Sequence, residues 1–255
     1  MNKNLLLALG LLINSGAVVA DQGTYSYSTG IDYSSGKYGQ AEDTNITYIP
    51  LTGKYEKDKL TLKLTVPYLR IDGPGGVTPD SRIVVNGNTN NTRTVQSGLG
   101  DVVLGATYSV LELAEQKVYV DVGGKIKFPT ASESKGLGTG KTDYAVSTDV
   151  YKSIGQTTLY GTVGYKVLGD PAGVNLNNVF FGSTGLIYKV DAKNSLGIGM
   201  DARERTSANS TALREYSVFY SHKFNQNYKL QTYLVVGDTT SSVDLGGGAT
   251  LGISW

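Results

Sequence analysis

LTLKLTVPY, from Leu60 to Tyr68, alternates without a break: Leu62, Leu64, Val66 and Tyr68 are apolar or aromatic, while Thr61, Lys63 and Thr65 between them are polar. Successive side chains leave a strand on opposite faces, so this period of two describes a strand with one apolar face and one wet face. The pattern returns at Val118, Val120, Val122, Ile126 and Phe128, set among Lys117, Asp121, Lys125 and Lys127. It recurs at Leu196, Ile198 and Met200, at Tyr216, Val218 and Tyr220, and at Tyr228, Leu230, Leu234 and Val236. No segment carries a helical period.

Segments of this kind predict about twelve strands. They begin near Gly23, Asn45, Leu60, Leu99, Lys117, Asp143, Thr157, Val179, Ser195, Ala212, Tyr228 and Asp244. The connections between them sort into two alternating classes. Short turns lie at 56–59, 112–116, 153–156, 191–194 and 225–227, and longer loops include 34–44, 71–98, 131–142 and 170–176. Short turns at one end and long loops at the other, around an even number of strands, describe an all-β, transmembrane, antiparallel up-and-down β-barrel of the bacterial outer membrane. A soluble sandwich has no reason to sort its loops by end.

The two ends of the chain fit that frame. Lys3 precedes an apolar run from Leu5 to Ile13, followed by Asn14, Ser15, Gly16 and a Val-Val-Ala step ending at Ala20. This is the pattern of a secretory signal peptide, residues 1–20, leaving 21–255 as one barrel. The run is too short to cross a hydrocarbon core as a helix, which takes about 20 residues. At the other end, Leu245, Gly247, Ala249, Leu251, Ile253 and Trp255 share one face, and the sequence ends on its single tryptophan. An aromatic ring favours the headgroup level, and a last strand must close on the first so that no edge is left in lipid. Outer-membrane barrels resemble one another in ending on a strand with a terminal Phe or Trp that the barrel assembly machinery reads, and that resemblance implies that Trp255 is an assembly signal, with outer-membrane lipid around the wall.

Composition excludes several classes. The 255 residues hold 33 glycines, 18 tyrosines and no cysteine, with a formal net charge of +1. No disulfide or thiolate-metal site is available, and the near-zero charge gives no case for nucleic acid. Glycines on the inward face, at Gly123, Gly197, Gly199, Gly246, Gly248 and Gly252, are expected to bend the sheet and leave interior space. The single histidine, His222, stands beside Ser221, but neighbours on a strand point to opposite faces and cannot share a proton. Carboxylates such as Asp101, Asp121 and Asp143 have no metal-ligand spacing, so no catalytic residue, metal or cofactor is expected.

Lys135 to Thr142, KGLGTGKT, ends like a phosphate-binding loop in Gly140, Lys141 and Thr142 but has Lys135 where the first glycine must stand. Three stretches resemble a family of outer-membrane barrels, the transporters of the MetA pathway of phenol degradation. They are KFPTASESKGLGTGKTDY (Lys127 to Tyr144), SGLGDVVLGATY (Ser97 to Tyr108) and VPYLRIDGPGGV (Val66 to Val77). The resemblance implies a passive channel for small, aromatic or otherwise apolar solutes. It also implies that Gly136, Gly138, Gly140 and Lys141 form a tight surface loop of the barrel, with Lys141 a solvated or mouth-facing cation.

Strand parity projects a set of charges into the lumen. Asp101, Lys125, Lys127, Asp143 and Asp149 come from one group of neighbouring strands, and Asp201, Arg203, Arg205 and Glu215 from another. Asp121, Lys63, Lys223 and Lys229 share the inward parity. Positive and negative charges nearly balance, and cross-strand pairing of Asp101, Lys127 and Asp143, and of Arg203, Arg205 and Glu215, is expected at the loop end. Such a lumen, narrow or partly plugged at twelve strands, suits a small-molecule solute with little ion preference. The alternative from the same residues is a non-conducting barrel that serves surface interaction or membrane integrity.

Overall fold

The computed structural model describes residues 23–75, 77, 93–208 and 210–255. The expected signal peptide lies outside the described residues.

The strands in chain order are β1 (Thr24–Gly36), β2 (Thr44–Lys57), β3 (Leu60–Gly73), β4 (Thr94–Leu99), β5 (Val102–Leu113), β6 (Val118–Phe128) and β7 (Asp143–Ile154). They continue as β8 (Thr157–Val167), β9 (Val179–Lys189), β10 (Asn194–Arg203), β11 (Leu213–Lys223), β12 (Tyr228–Gly237) and β13 (Leu245–Ser254). Each pairs antiparallel with its neighbour, and β1 pairs with both β2 and β13, which closes the sheet on itself. β4 and β5 are two halves of one wall strand: β4 pairs with the far half of β3 and β5 with its near half. The break falls at Gly100 and Asp101, where the Gly100 amide donates to the Pro67 carbonyl at 2.8 Å. The wall therefore has the twelve strands the periodicity predicts.

Eleven of the twelve strands start within one residue of their predicted positions. The exception is the fourth, which begins at Thr94 rather than near Leu99, while β3 runs on to Gly73 and shortens the predicted 71–98 loop. The physical reason is depth. Outward positions here are Arg70 and Asp72, and Arg93 donates from Nε to Asp72 Oδ1 at 2.6 Å. Above the hydrocarbon the outward face need not be apolar, so the alternation that reveals a strand fades before the strand ends.

Outward residues form the lipid face. Ile31, Leu51, Leu62, Leu64, Val122, Val146, Val163, Ile198, Val218 and Leu234 are exposed around its middle. Tyr25, Tyr27, Tyr108, Tyr188, Tyr228 and Trp255 ring the short-turn end, and Tyr33, Tyr68, Phe128, Tyr144, Phe180 and Tyr216 ring the loop end. Two aromatic girdles flanking an apolar band are the signature of a barrel held in a bilayer. Following the register once around the wall displaces the chain by about 14 residues, which sets a strand tilt of about 40° and a backbone radius of about 11–12 Å. At that radius inward side chains, not the wall, decide how much space remains.

Candidate functional site

At the loop end three strands bring charges together. Lys127 on β6 places Nζ 3.2 Å from Asp101 Oδ2 and 3.0 Å from Asp143 Oδ2. Lys166 on β8 approaches Asp143 Oδ2 at 3.4 Å. Lys127 also donates to Thr139 Oγ1 at 3.1 Å, and the Ala131 amide donates to Asp101 Oδ1 at 2.9 Å. These last two bonds tie the segment between β6 and β7 to the inside of the mouth.

That segment departs from the expected surface loop. Leu137 is 2% exposed, and Gly138 and Thr139 are buried beside it. Gly136 and Gly140 take the left-handed backbone, at φ 67° and 66°, and turn the chain inward and out again. A Cβ on Gly138 would lie 2.8 Å from Asp101 Oδ2, so only glycine lets the carboxylate sit against the backbone. Lys141 is exposed at the outer side. The glycines of KGLGTGK thus build an inward fold capped by Leu137, which belongs to a buried apolar cluster that includes Tyr38, Ile46, Leu69, Ile71, Val77 and Ala131. Leu137 was the missed residue; its signal was an apolar side chain alone in a Gly, Ser, Thr and Lys segment.

The second expected cluster assembles in part. Asp201 on β10 faces Glu215 on β11 across the ladder, and Arg203 ends β10 buried at 8% exposure. Glu215 Oε1 accepts the Val243 amide at 3.1 Å. Arg205 falls beyond the strand and is exposed, with its carbonyl 3.4 Å from Asn177 Nδ2. Strand alternation ends at Arg203, so parity no longer carries Arg205 inward.

Deeper in the barrel Asp121 faces Asp149 across β6 and β7, and Asp149 Oδ1 accepts a hydrogen bond from Thr162 at 2.5 Å. Lys125 lines a cavity of 50 Å³ with Tyr48, Pro50, Thr52, Lys63 and Thr65. Inward rings come from Tyr48, Tyr151, Tyr160, Phe181, Phe219 and Tyr233, all buried.

At the turn end Ser221 is buried and points inward, whereas His222 points outward and places Nδ1 2.8 Å from Asn194 Oδ1. Phe224 meets the imidazole edge-on with centroids 4.8 Å apart. Asp191 accepts hydrogen bonds from the Asn194 side chain at 2.7 Å and from the Lys193 amide at 2.7 Å. These donors, the Asn194 side chain foremost, hold the Asp191 carboxyl below the usual carboxylate range. The residues around His222 thus form a turn lock, in which the Tyr220 hydroxyl on the same face donates to Asn194 Oδ1 at 2.6 Å and lies 3.4 Å from the imidazole Nδ1. Among the described residues no group of three or more His, Asp or Glu side chains is placed to hold a metal ion.

No protein-family model matches the chain, and no curated protein matches it. In structure it is similar to the COG4313 outer membrane channel from Pseudomonas putida F1, at TM-score 0.72 and 14% identity over 95% of this chain and 100% of that one. It is also similar to the translocator domain of autotransporter NalP from Neisseria meningitidis, at TM-score 0.51 and 10% identity over 99% and 93% of the two chains. At these identities the likeness is one of fold: a closed outer-membrane barrel.

Proposed function

We propose that this protein is a passive outer-membrane channel for small solutes. The observation that carries the reading is the sorting of its wall. Outward positions are apolar through the membrane band, while inward positions on the same strands carry Lys63, Lys125, Asp121, Asp149, Asp201 and Glu215. A barrel needs no such charges inside unless its interior is wet. The name of the Pseudomonas putida channel, which shares this fold over its full length, agrees with that use.

The resemblance carried by the three loop stretches supports an aromatic or otherwise apolar cargo. No step of covalent chemistry, cofactor or metal enters this reading. Lipid surrounds the girdled wall, and the assembly machinery reads the strand that ends at Trp255.

Single-channel recording of the purified protein in planar bilayers tests the reading. Ohmic current steps are expected. The inward fold of 131–142 favours one competing outcome, a plugged barrel used for surface interaction, and its mark would be a folded, inserted protein without steps.

A further inference from the structure

Four inward rings of this barrel share one arrangement. Tyr160 on β8 stands directly opposite Gly185 on β9, and Phe181 on β9 directly opposite Gly164 on β8. Phe219 on β11 stands opposite Gly197 on β10, and Tyr233 on β12 opposite Gly248 on β13. In every pair the ring lies within 3 Å of where a Cβ on the facing glycine would stand, although at Gly248 Asp32 Oδ1 and at Gly185 the Ile198 carbonyl stand closer still. A Cβ on Gly185 would lie 2.7 Å from Tyr160 Cζ, and one on Gly248 2.9 Å from Tyr233 Cε1. One on Gly197 would overlap Phe219 at three ring atoms, and one on Gly164 would overlap Phe181.

The pairs are not scattered. They occupy the continuous arc of wall from β8 to β13. Strand glycine costs sheet stability, and a cross-strand aromatic laid over it recovers contact area. The same contact has a second consequence inside a closed barrel. At a backbone radius of about 11–12 Å, a ring standing off the wall would occupy much of the interior, and a ring lying along the wall occupies little. Phe219 and Tyr160 are 3% and 4% exposed, so each ring is covered on its lumen side as well as by the wall, and lifting it displaces the inward side chains packed over it.

We infer that Gly164, Gly185, Gly197 and Gly248 set the bore of this barrel by holding four aromatic rings flat against one side of its wall. The inference rests on the channel reading above and adds to it the residues that decide which solute size passes. The facing glycine, not the ring, is the size-determining residue: any side chain there lifts the ring into the path.

The test combines two measurements on wild type, Gly197→Ala, Phe219→Ala and the double variant Gly197→Ala/Phe219→Ala. One is single-channel conductance in planar bilayers, and the other is the NMR shift of the Gly197 α protons in micelles. A ring lying on Gly197 moves those protons upfield in the wild type and leaves them unshifted in Phe219→Ala. Conductance of Gly197→Ala should fall at least about twofold, and the double variant should recover the wild-type value or exceed it. Phe219→Ala alone should change conductance little, because the ring it removes lies on the wall.

Wild-type α protons without a ring shift overturn the inference, as does a folded Gly197→Ala with wild-type conductance. A several-fold conductance rise in Phe219→Ala also overturns it, and that comparison decides alone if Gly197→Ala fails to insert. Steps absent from every variant, with the ring shift intact, sink the channel reading and the bore role together. Steps present and insensitive to Gly197→Ala sink the bore role alone.

Discussion

Tyr233 on β12 donates its hydroxyl hydrogen to Asp32 on β1, 201 residues away in sequence, across Gly248 on the intervening β13. The bond spans the seam where the two ends of the chain close the wall. Closure removes the edges that lipid cannot satisfy, so a contact across it acts on the whole barrel.

Tyr233→Phe removes the donor and leaves a buried carboxylate oxygen without it. A loss of about 1–3 kcal/mol is expected. Urea unfolding of the barrel in lipid vesicles measures it as a lower midpoint, and an unchanged midpoint would show that the seam does not depend on this bond.

Trp255 closes the same seam at the turn end. Its amide donates to the Tyr25 carbonyl and the Tyr25 amide donates to the Trp255 carbonyl, both at 3.0 Å, and the indole stacks on Tyr27 with centroids 5.3 Å apart. Deleting Trp255 should lower the yield of the heat-modifiable folded form on gels, whereas Lys125→Ala should leave it intact. Equal yields for wild type and deletion would remove the assembly role.

Lys127 lies between two buried carboxylates, so Lys127→Met should cost about 3–5 kcal/mol by leaving Asp101 and Asp143 to repel. The inward fold of 131–142 loses its anchor with that cation. Tryptic cleavage after Lys135 and Lys141 should then be faster than in wild type. A wild-type cleavage rate in a folded variant would mean that Leu137 packing and the Ala131–Asp101 bond hold the segment without the cation.

Orientation follows from the loop sorting, with long loops outside and short turns in the periplasm. Within the 71–98 loop, Ser81 to Gln96 with its NGNTNN tract at 86–91 is the stretch that sequence assigns to the exposed exterior. The tract lies outside the described residues, while Gln96 is in β4. An epitope inserted at Asn88 should be labelled on intact cells. Labelling only after the outer membrane is permeabilised would invert the barrel.

Ion preference separates the two arginines. Fields from neighbouring opposite charges largely cancel beyond about 8 Å at physiological salt, so the wild type should be weakly selective. Arg203→Ala should shift the reversal potential in a salt gradient toward cations by leaving Asp201 and Glu215 less compensated. Arg205→Ala should leave it unchanged, because Arg205 is outside the strand. Equal shifts from both would place Arg205 in the path.

The wall is legible in the chain alone. Each membrane-spanning strand must present apolar residues to lipid at every second position, and that demand is local, so Leu60 to Tyr68 or Tyr216 to Tyr220 displays it without reference to any other strand. Strand number, loop sorting and the inward parity of Asp101, Lys127, Asp143 and Glu215 followed from the same alternation. Where the demand stops, so did legibility: β4 and the end of β3 lie beyond the apolar band, and Arg205 lies beyond the last paired residue. What fills the interior depends on contacts between strands. A glycine's partner depends on which residue of the next strand stands opposite it, and that register is set by turns and by the tilt of the closed sheet, not by the strand's own pattern. Thus Gly197 beneath Phe219, and Leu137 folded in beside Asp101 rather than out in water, became visible only once twelve strands were closed around a common axis.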